Sequence, residues 1–535
     1  MAGMPVRAAD GRCLETPAGK IPVAGTYDLV VAGGSTTGVA AAVTAARAGL
    51  SVAIVEYNAF FGGTATAGLV PVWHSLYSTD GKQQIIGGIT DEIEKRLLAR
   101  GEARLMGKTD KSVGCYLNVA ALGIVLDELV REAKTVVPYL KAQVTDAVLD
   151  RPGHLTHVVI EDHDGRRALA ARQFIDATGD AVLAVRAGFK TWTQPRSDIQ
   201  AHTLCAILSG ADAIRKVHPS FSFDKFMGPS GGAGLKHVFH WSAPVIGAPG
   251  LTFLAATRIS ACDPSVARDL TEGLFEGRAQ LKRIVDAANR MFPMPEGKRL
   301  ALVTVAPDMG IRESRHIEAQ YRVTSRDVLY GRHFDDCIAK GSYRVDIHEG
   351  SGITFRYLNG EEHRMEATPE GKVRWRRGRW RTDEGPYPTW YEIPMRALRP
   401  VGAENLHCAG RMIDCEREAY GALRVMVNCN QMGEAAGRAV ACAVKGSAAK
   451  MAAFTVNIVV FIFCLSCIAA GETFFKRYEV YQIPPPRATR KAPELLFEDI
   501  PFRLRKASTF VATSHNLPKA RSSSLRPQKH TEIAY

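Results

Sequence analysis

Cysteine is scarce: 11 residues in 535, too few and too scattered for a disulfide scaffold, which points to a reducing compartment. Gly (48) and Pro (27) stay near average usage, so collagen-like and wholly disordered chains are excluded. The first 25 residues contain neither an apolar signal core nor paired arginines, and the body is therefore expected in the cytoplasm. No internal repeat is visible, which removes solenoids and propellers. Acidic residues are outnumbered, 55 against 68 Lys and Arg, for a net charge of +13. The excess is uneven: residues 471–535 hold 12 basic and 6 acidic side chains, so 12 − 6 = +6 lies in that tail. Such a charge permits an anionic partner without requiring one. The 46% hydrophobic content and the length suit two or three domains with a sizeable core.

The strongest local pattern opens the fold. Tyr27–Ala32 is a short apolar, β-branched run, as in a buried parallel strand. It enters Gly33-Gly34-Ser35-Thr36-Thr37-Gly38, then an Ala-rich helical stretch to Ala48, a stop at Gly49 and a second strand over Ser51–Glu56. This βαβ unit carries a glycine-rich phosphate turn with Gly at its first and third positions and Ser35 at its second. Phosphates are expected at the helix N-terminus, with the Ser35 hydroxyl bonding a phosphate oxygen. Glu56, 18 residues after Gly38, is placed to accept from a ribose hydroxyl. Further along, Val119–Ala133 has helical spacing, with Leu122, Val125, Leu126 and Leu129 on one face. Over Val144–Ile175 the period becomes two, with turns at Pro152-Gly153 and Asp164-Gly165, which predicts an antiparallel meander returning to the main sheet. Residues 190–395 mix helices with turn-rich β segments and lack a second phosphate fingerprint. A last strand over Leu406–Ala409 precedes Gly410-Arg411, and a small-residue helix is expected from Asn428 to Val444.

Several downstream stretches occur in a specific order: Gly62-Gly63-Thr64-Ala65-Thr66-Ala67-Gly68, Ile175-Asp176-Ala177-Thr178-Gly179-Asp180-Ala181, Gly310-Ile311-Arg312-Glu313-Ser314-Arg315, Asp346-Ile347-His348, Cys408-Ala409-Gly410-Arg411, Gly421–Met426 and Gly433–Gly437. Together with the first unit they resemble the FAD-dependent oxidoreductases of the glutathione-reductase-like flavin fold, near the flavin subunit of heterodisulfide reductases and more distantly fumarate reductases. The resemblance implies an α/β fold: a Rossmann-like FAD-binding domain with a parallel sheet and a β-meander, plus an inserted α+β substrate domain. It implies non-covalent FAD held by Gly33, Gly34, Ser35, Thr36, Thr37, Gly38, Glu56, Gly62, Gly63, Thr64, Val144, Thr178, Gly179, Asp180, Gly410, Arg411 and Arg424. The helix near Asn428 would aim its positive end at the flavin; Gly433 and Gly437 equally suit close helix packing. The domains are expected at 27–190 and 396–447 (FAD) and 191–395 (substrate), after a loose arm over 1–26.

Flavin chemistry leaves substrate placement and proton movement to the protein. Arg312 and Arg315 are the candidates for fixing an anionic substrate or reduced flavin, against the alternative of an internal Arg–Glu network. His348 is the candidate proton carrier; His74 and Arg396 are weaker ones. No metal is expected, because the one C-x-x-C, Cys464/Cys467, offers too few ligands for a cluster. The expected reaction is hydride transfer between a small organic substrate and flavin, with a separate electron donor or acceptor. The rival readings are a flavin monooxygenase using NAD(P)H and oxygen, or an RNA- or membrane-associated flavoprotein. For RNA, the run Lys372–Arg381 has six basic residues interleaved with Trp375 and Trp380; an exposed hairpin turning at Arg377-Gly378, its arginines laid over the tryptophans, is the favoured reading, so nucleic acid is not expected. For membranes, residues 451–470 carry no charge and are long enough to span a bilayer at ~1.5 Å per residue. The basic tail that follows, residues 471–535, would then lie on the far side, against the positive-inside tendency, and a buried packing segment is the alternative. The tail itself reads as disordered.

Overall fold

The computed structural model describes residues 19–107, 114–295, 297–349, 352–368 and 372–446. The run Tyr27–Ala32 is the buried end of a longer strand, β1 (Val23–Ala32). Residues 23–26, assigned from sequence to a loose arm, instead join the sheet, with Val23 opposite Ala168; a long neighbouring strand offers their backbone groups partners. Helix α1 (Thr36–Arg47) follows, then β2 (Val52–Glu56), α2 (Val119–Glu132) and β3 (Val136–Leu140). Strands β3, β2 and β1 lie side by side and parallel. Leu29 and Val31 face one core, shared with α1 and α2, while Val30 and Ala32 face a second core. Both faces of β1 are covered, which is why its end reads as continuous apolar sequence rather than an alternation.

The meander forms as β4 (Gln143–Arg151), β5 (His154–Asp162) and β6 (Gly165–Asp176), with Gly153 and Gly165 at φ 83° and 92° in its turns. Strand β6 connects the two halves of the sheet. Along one edge it runs parallel to β1. Along the other it pairs antiparallel with β5 up to Ala170, then parallel with a short strand from far downstream, Leu406–Cys408, beginning at Phe174. The chain therefore leaves the sheet after Asp176 and returns over two hundred residues later.

Between these points lie, besides two two-stranded pairs, two four-stranded antiparallel sheets. The first comprises β7 (Ala206–Ser209), β8 (Trp241–Pro244), β9 (Leu251–Ala255) and β10 (Ala301–Val305) in the order β8-β9-β7-β10. It shares a core with helix α3 (Ala267–Met291) through Leu208, Leu254, Ile284 and Ala288. The second contains β11 (Val345–Glu349), β12 (Gly352–Arg356), β13 (Glu361–Ala367) and β14 (Val373–Arg379), paired in chain order. The basic run belongs to β14, which continues through Arg377-Gly378. Its turn comes earlier, where Thr368 N–H donates to Lys372 O at 2.7 Å, correcting the hairpin expected at Gly378. Arg379 and Arg381 stack on Tyr387, and Arg381 on Tyr330, rather than on the two tryptophans. Trp380 is instead tied down by a 2.7 Å bond from Nε1 to Tyr357 O.

After the returning strand, β15 (Leu406–Cys408), come α4 (Arg417–Leu423) and α5 (Met426–Val444). Helix α5 lies against α1 so closely that a Cβ on Gly433 would sit 2.1 Å from Thr37 O, and one on Gly437 2.4 Å from Ala41 O. These two glycines serve close helix packing. Among the described residues no helix is long and apolar enough to cross a membrane; the 451–470 segment, the tail and the first 18 residues lie outside them.

Candidate active site

The turn between β1 and α1 is shaped by what its glycines touch. Gly33 has φ 98°, and a Cβ there would meet Ala177 backbone at 2.6 Å; on Gly38 it would meet Gly33 O at 1.8 Å. The first glycine thus allows the loop after β6 to approach, and the third allows α1 to pack on the end of β1. Ser35 does a different job from the one expected. Its hydroxyl donates to Ala177 O at 3.1 Å and accepts from Gly38 N–H at 3.3 Å, capping α1 and fastening the two loops together. The first-turn N–H groups of Thr36 and Thr37 have no carbonyl within the helix to bond, as at any helix start. Glu56, at the end of β2, accepts from Gly34 N–H at 2.6 Å and from Asn58 N–H at 2.7 Å. Burial raises its carboxyl above the ordinary value, and those donors oppose the rise.

The segment Gly62–Thr64 joins this turn, since Gly62 N–H donates to Gly34 O at 2.9 Å and Gly62 bridges Ser35. On the other side, Gly179 (φ 82°) leaves room only for the Arg411 guanidinium, 2.4 Å from where its Cβ would be. Arg411 pairs with Asp180 at 2.6 Å, and Ser314 also donates to Asp180. Thr178 closes its own turn through Asp176, its hydroxyl at 2.7 Å. Gly410 takes φ 129° ahead of Arg411. Four loops far apart in sequence therefore meet at the C-terminal ends of β1, β2, β6 and β15.

A second constellation adjoins it. Arg424, at the end of α4, donates to Asp346 Oδ2 at 3.2 Å and to Asp346 O at 3.1 Å. Tyr343 donates to the same carboxylate at 3.0 Å. His348 Nε2 lies 3.2 Å from Asp346 Oδ1, but that oxygen has no aligned hydrogen bond. Burial alone would raise the Asp346 carboxyl; His348, Arg424 and Arg344 outweigh it and hold it well below the usual carboxylate range. Burial, aided by the Arg312 charge, pushes His348 down to about 3, so the ring is neutral near pH 7. Arg312 donates to Ala201 O at 2.5 Å and to Thr203 Oγ1 at 2.7 Å, and Tyr420 donates to its carbonyl. Burial, then the Arg424 charge, brings the Arg312 guanidinium down to about 10. By surface area Arg411 and Arg424 keep 17% and 12% of their side chains accessible, and Arg312 is likewise mostly but not fully buried. His202 senses both Arg312 and Arg411, which links the two constellations.

A family model described as FAD dependent oxidoreductase matches residues 28–456. The chain belongs to the FAD-dependent oxidoreductase family. FAD is its cofactor, and the chain is an enzyme. No curated protein matches it significantly. Among solved structures it is similar to a geranylgeranyl bacteriochlorophyll reductase-like protein from Thermoplasma acidophilum, at 13% identity, 81% of this chain, 83% of that one and TM-score 0.40. A myxobacterial chondrochloren halogenase gives 14%, 79%, 76% and 0.37. The p-nitrophenol 4-monooxygenase of Pseudomonas putida gives 13%, 56%, 70% and 0.33.

The residues of this oxidoreductase fit FAD. The turn around Gly33 and Gly38 admits no side chain, the α1 N-terminus offers unused N–H groups, and Glu56 presents a buried carboxylate with lone pairs to spare. Helix α5 starts at Met426, two residues before the expected position, with no side-chain cap on its first turn. Asn430 in that helix keeps both side-chain polar atoms buried and unpartnered. Val144 lies near the end of β2, its side chain in the core that also holds Val55 and Ile160. Arg315 is not brought to the Asp346 cluster and donates to Ser265 O at 3.1 Å. Arg396 stacks on Tyr321 and pairs with Asp336. His74 does join, its ring 5.4 Å from Tyr343. Glu313 pairs with neither arginine; it accepts from Gln200 N–H at 3.0 Å and faces His316 at 3.2 Å. Sequence reading missed Arg258, Arg344 and Tyr343, since no local pattern sets them apart from other basic and aromatic residues.

Proposed function

We propose that the enzyme oxidises a small anionic organic substrate, with Arg312 binding the anion and His348 accepting the proton released. The observation that supports this most is the pairing of a deep arginine with a neutral histidine. Among the described residues Arg312 has no carboxylate partner; it spends its donors on a carbonyl and a hydroxyl. A buried guanidinium without a counter-ion is costly to keep, and an anionic ligand supplies the missing charge. FAD, when bound, supplies the hydride acceptor at N5. His348, uncharged in the free enzyme, is in the state that takes a proton rather than gives one. Burial is the larger cause of the ring's low basicity, and an anion on Arg312 offsets the charge that adds to it, so substrate binding raises the basicity of His348. Asp346, itself anchored by Arg424 and Tyr343, holds the ring beside it.

The test is Arg312→Met. Removing the anion anchor is expected to raise KM at least about 10-fold, the order of a lost charged hydrogen bond, while FAD content and melting temperature stay at wild-type levels. A fall in melting temperature with unchanged KM would show that Arg312 only braces the fold.

A further inference from the structure

The arginines around Asp346 differ in what balances them. Arg424 has Asp346, and Arg411 has Asp180. Arg344 lies over three rings, those of Phe355 at 4.5 Å, Tyr343 at 5.1 Å and Tyr357 at 5.7 Å. Two remain with neither a carboxylate within 4.0 Å nor a ring stack among the described residues: Arg312 and Arg258. Of the two arginines with less than a tenth of their surface exposed, Arg381 is paired with Asp383, and Arg258, at 8%, has no such partner. Its Nη2 donates to Gly352 O at 2.8 Å, but Nε and Nη1 are buried and unpartnered.

Arg258 is also held in place by its own backbone. Its N–H donates to Gln280 Oε1 and its carbonyl accepts from Gln280 Nε2, both at 2.8 Å, so one buried side chain of α3 clamps the residue from both sides. A clamp of this kind fixes where a side chain starts, which suits a residue that must present two free donors in one place. Arg258 and Arg312 border one segment: Ile259 pairs with His202, and Arg312 donates to Ala201 O and Thr203 Oγ1. Gly352, which accepts from Arg258, precedes Ile353, the strand partner of His348. Burial, against the pull of Asp346 and Glu349, lowers its guanidinium to about 10.

We infer that Arg258 is a second anion-anchoring residue, and that the substrate carries two anionic groups, one for Arg312 and one for Arg258, with His348 serving the carbon between them. This rests on the proposed function and narrows its substrate class to dianions such as dicarboxylates. Two guanidinium groups without a carboxylate partner, near a neutral base, ask for two oxyanions, because a monoanion would leave one charge uncompensated. The forked donors of arginine match a carboxylate in two bonds, which also sets the orientation of the bound molecule.

The test uses the full-length FAD-loaded protein and reads the shift in bound-flavin absorbance on adding acetate, malonate, succinate or glutarate. At least one dicarboxylate is expected to bind about 10-fold or more tightly than acetate, a gap of about 1.4 kcal/mol. In Arg258→Met that preference is expected to vanish while acetate affinity changes less than about 2-fold. Without added anion the variant should melt no lower than wild type, since an uncompensated buried charge has been removed. A variant that keeps its dicarboxylate preference overturns the inference. So does a variant that melts lower with unchanged binding, which marks Arg258 as a brace for Gly352, and so does failure of both Arg258→Met and Arg258→Gln to fold. Equal binding of acetate and every dicarboxylate by the wild type overturns this inference alone. Absence of any anion response, in wild type and Arg312→Met alike, overturns the parent reading as well.

Discussion

At the scale of single residues, the site works by contrast between groups that are balanced and groups that are not. Asp346 lies among cationic groups and stays ionised. His348 is enclosed with cations and stays neutral. The sign of the pH dependence follows. In the free enzyme the ring takes no proton until pH falls to about 3, so kcat/KM, which reports free enzyme, should show no acid limb from His348. With an anion on Arg312 the ring's pKa rises, so kcat, which reports the complex, should fall on the acid side first. His348→Gln should abolish that acid limb in kcat and lower kcat by roughly 10²–10⁴. An unchanged kcat profile in the variant would remove His348 from the proton path. Legibility in the sequence divides along the same line. Gly33, Gly38 and Glu56 were readable because each answers a local steric or hydrogen-bonding need inside one βαβ unit. Arg258 was not, because its meaning comes from Gln280, Gly352 and His348, partners that only folding brings near. Ser35 lies between: its place in the turn was plain, whereas its bond to Ala177, 142 positions away, was not.

At the scale of elements, the cofactor cradle depends on helix α5 pressing on α1. Gly433 and Gly437 let the two backbones approach within distances no side chain tolerates. The N-terminal turn of α1 carries Thr36 and Thr37, whose N–H groups are to meet phosphate, so a shift of α1 moves the phosphate site. Gly437→Val is therefore expected to destabilise the protein by about 1–3 kcal/mol or more through overpacking and to lower FAD retention with it. Chemical denaturation and the ratio of visible to protein absorbance, measured on one preparation, check both. Full stability and full flavin content would mean that the two helices are free to separate. Helices α1, α2 and α5, the meander and the returning strand were anticipated within a few residues, because each has its own period and its own turn signals; α3 and α4 were not placed. The basic hairpin was misplaced because Gly378 reads as a turn residue, while the pairing of β14 with β13 carries the strand straight through it.

At the scale of the whole molecule, the chain leaves its sheet after β6, builds two four-stranded antiparallel sheets beside two smaller pairs, and returns at β15. The excursion supplies Arg258, Arg312, Asp346 and His348, and the returning segment supplies Arg411 and Arg424. The residues proposed to bind substrate thus come from the excursion, and the arginines beside them from the segment that follows its return. That arrangement makes one claim above the others: negative charge on the substrate is what the site selects. The direct measurement is anaerobic mixing of the FAD-loaded protein with a panel of small 2-hydroxy and 2-amino acids beside their uncharged amides, following loss of the oxidised flavin band. At least one acid is expected to reduce the flavin about 10-fold or more faster than its amide, the order expected for one charge-assisted contact. Equal reduction by acid and amide, or reduction by amides alone, would contradict the account.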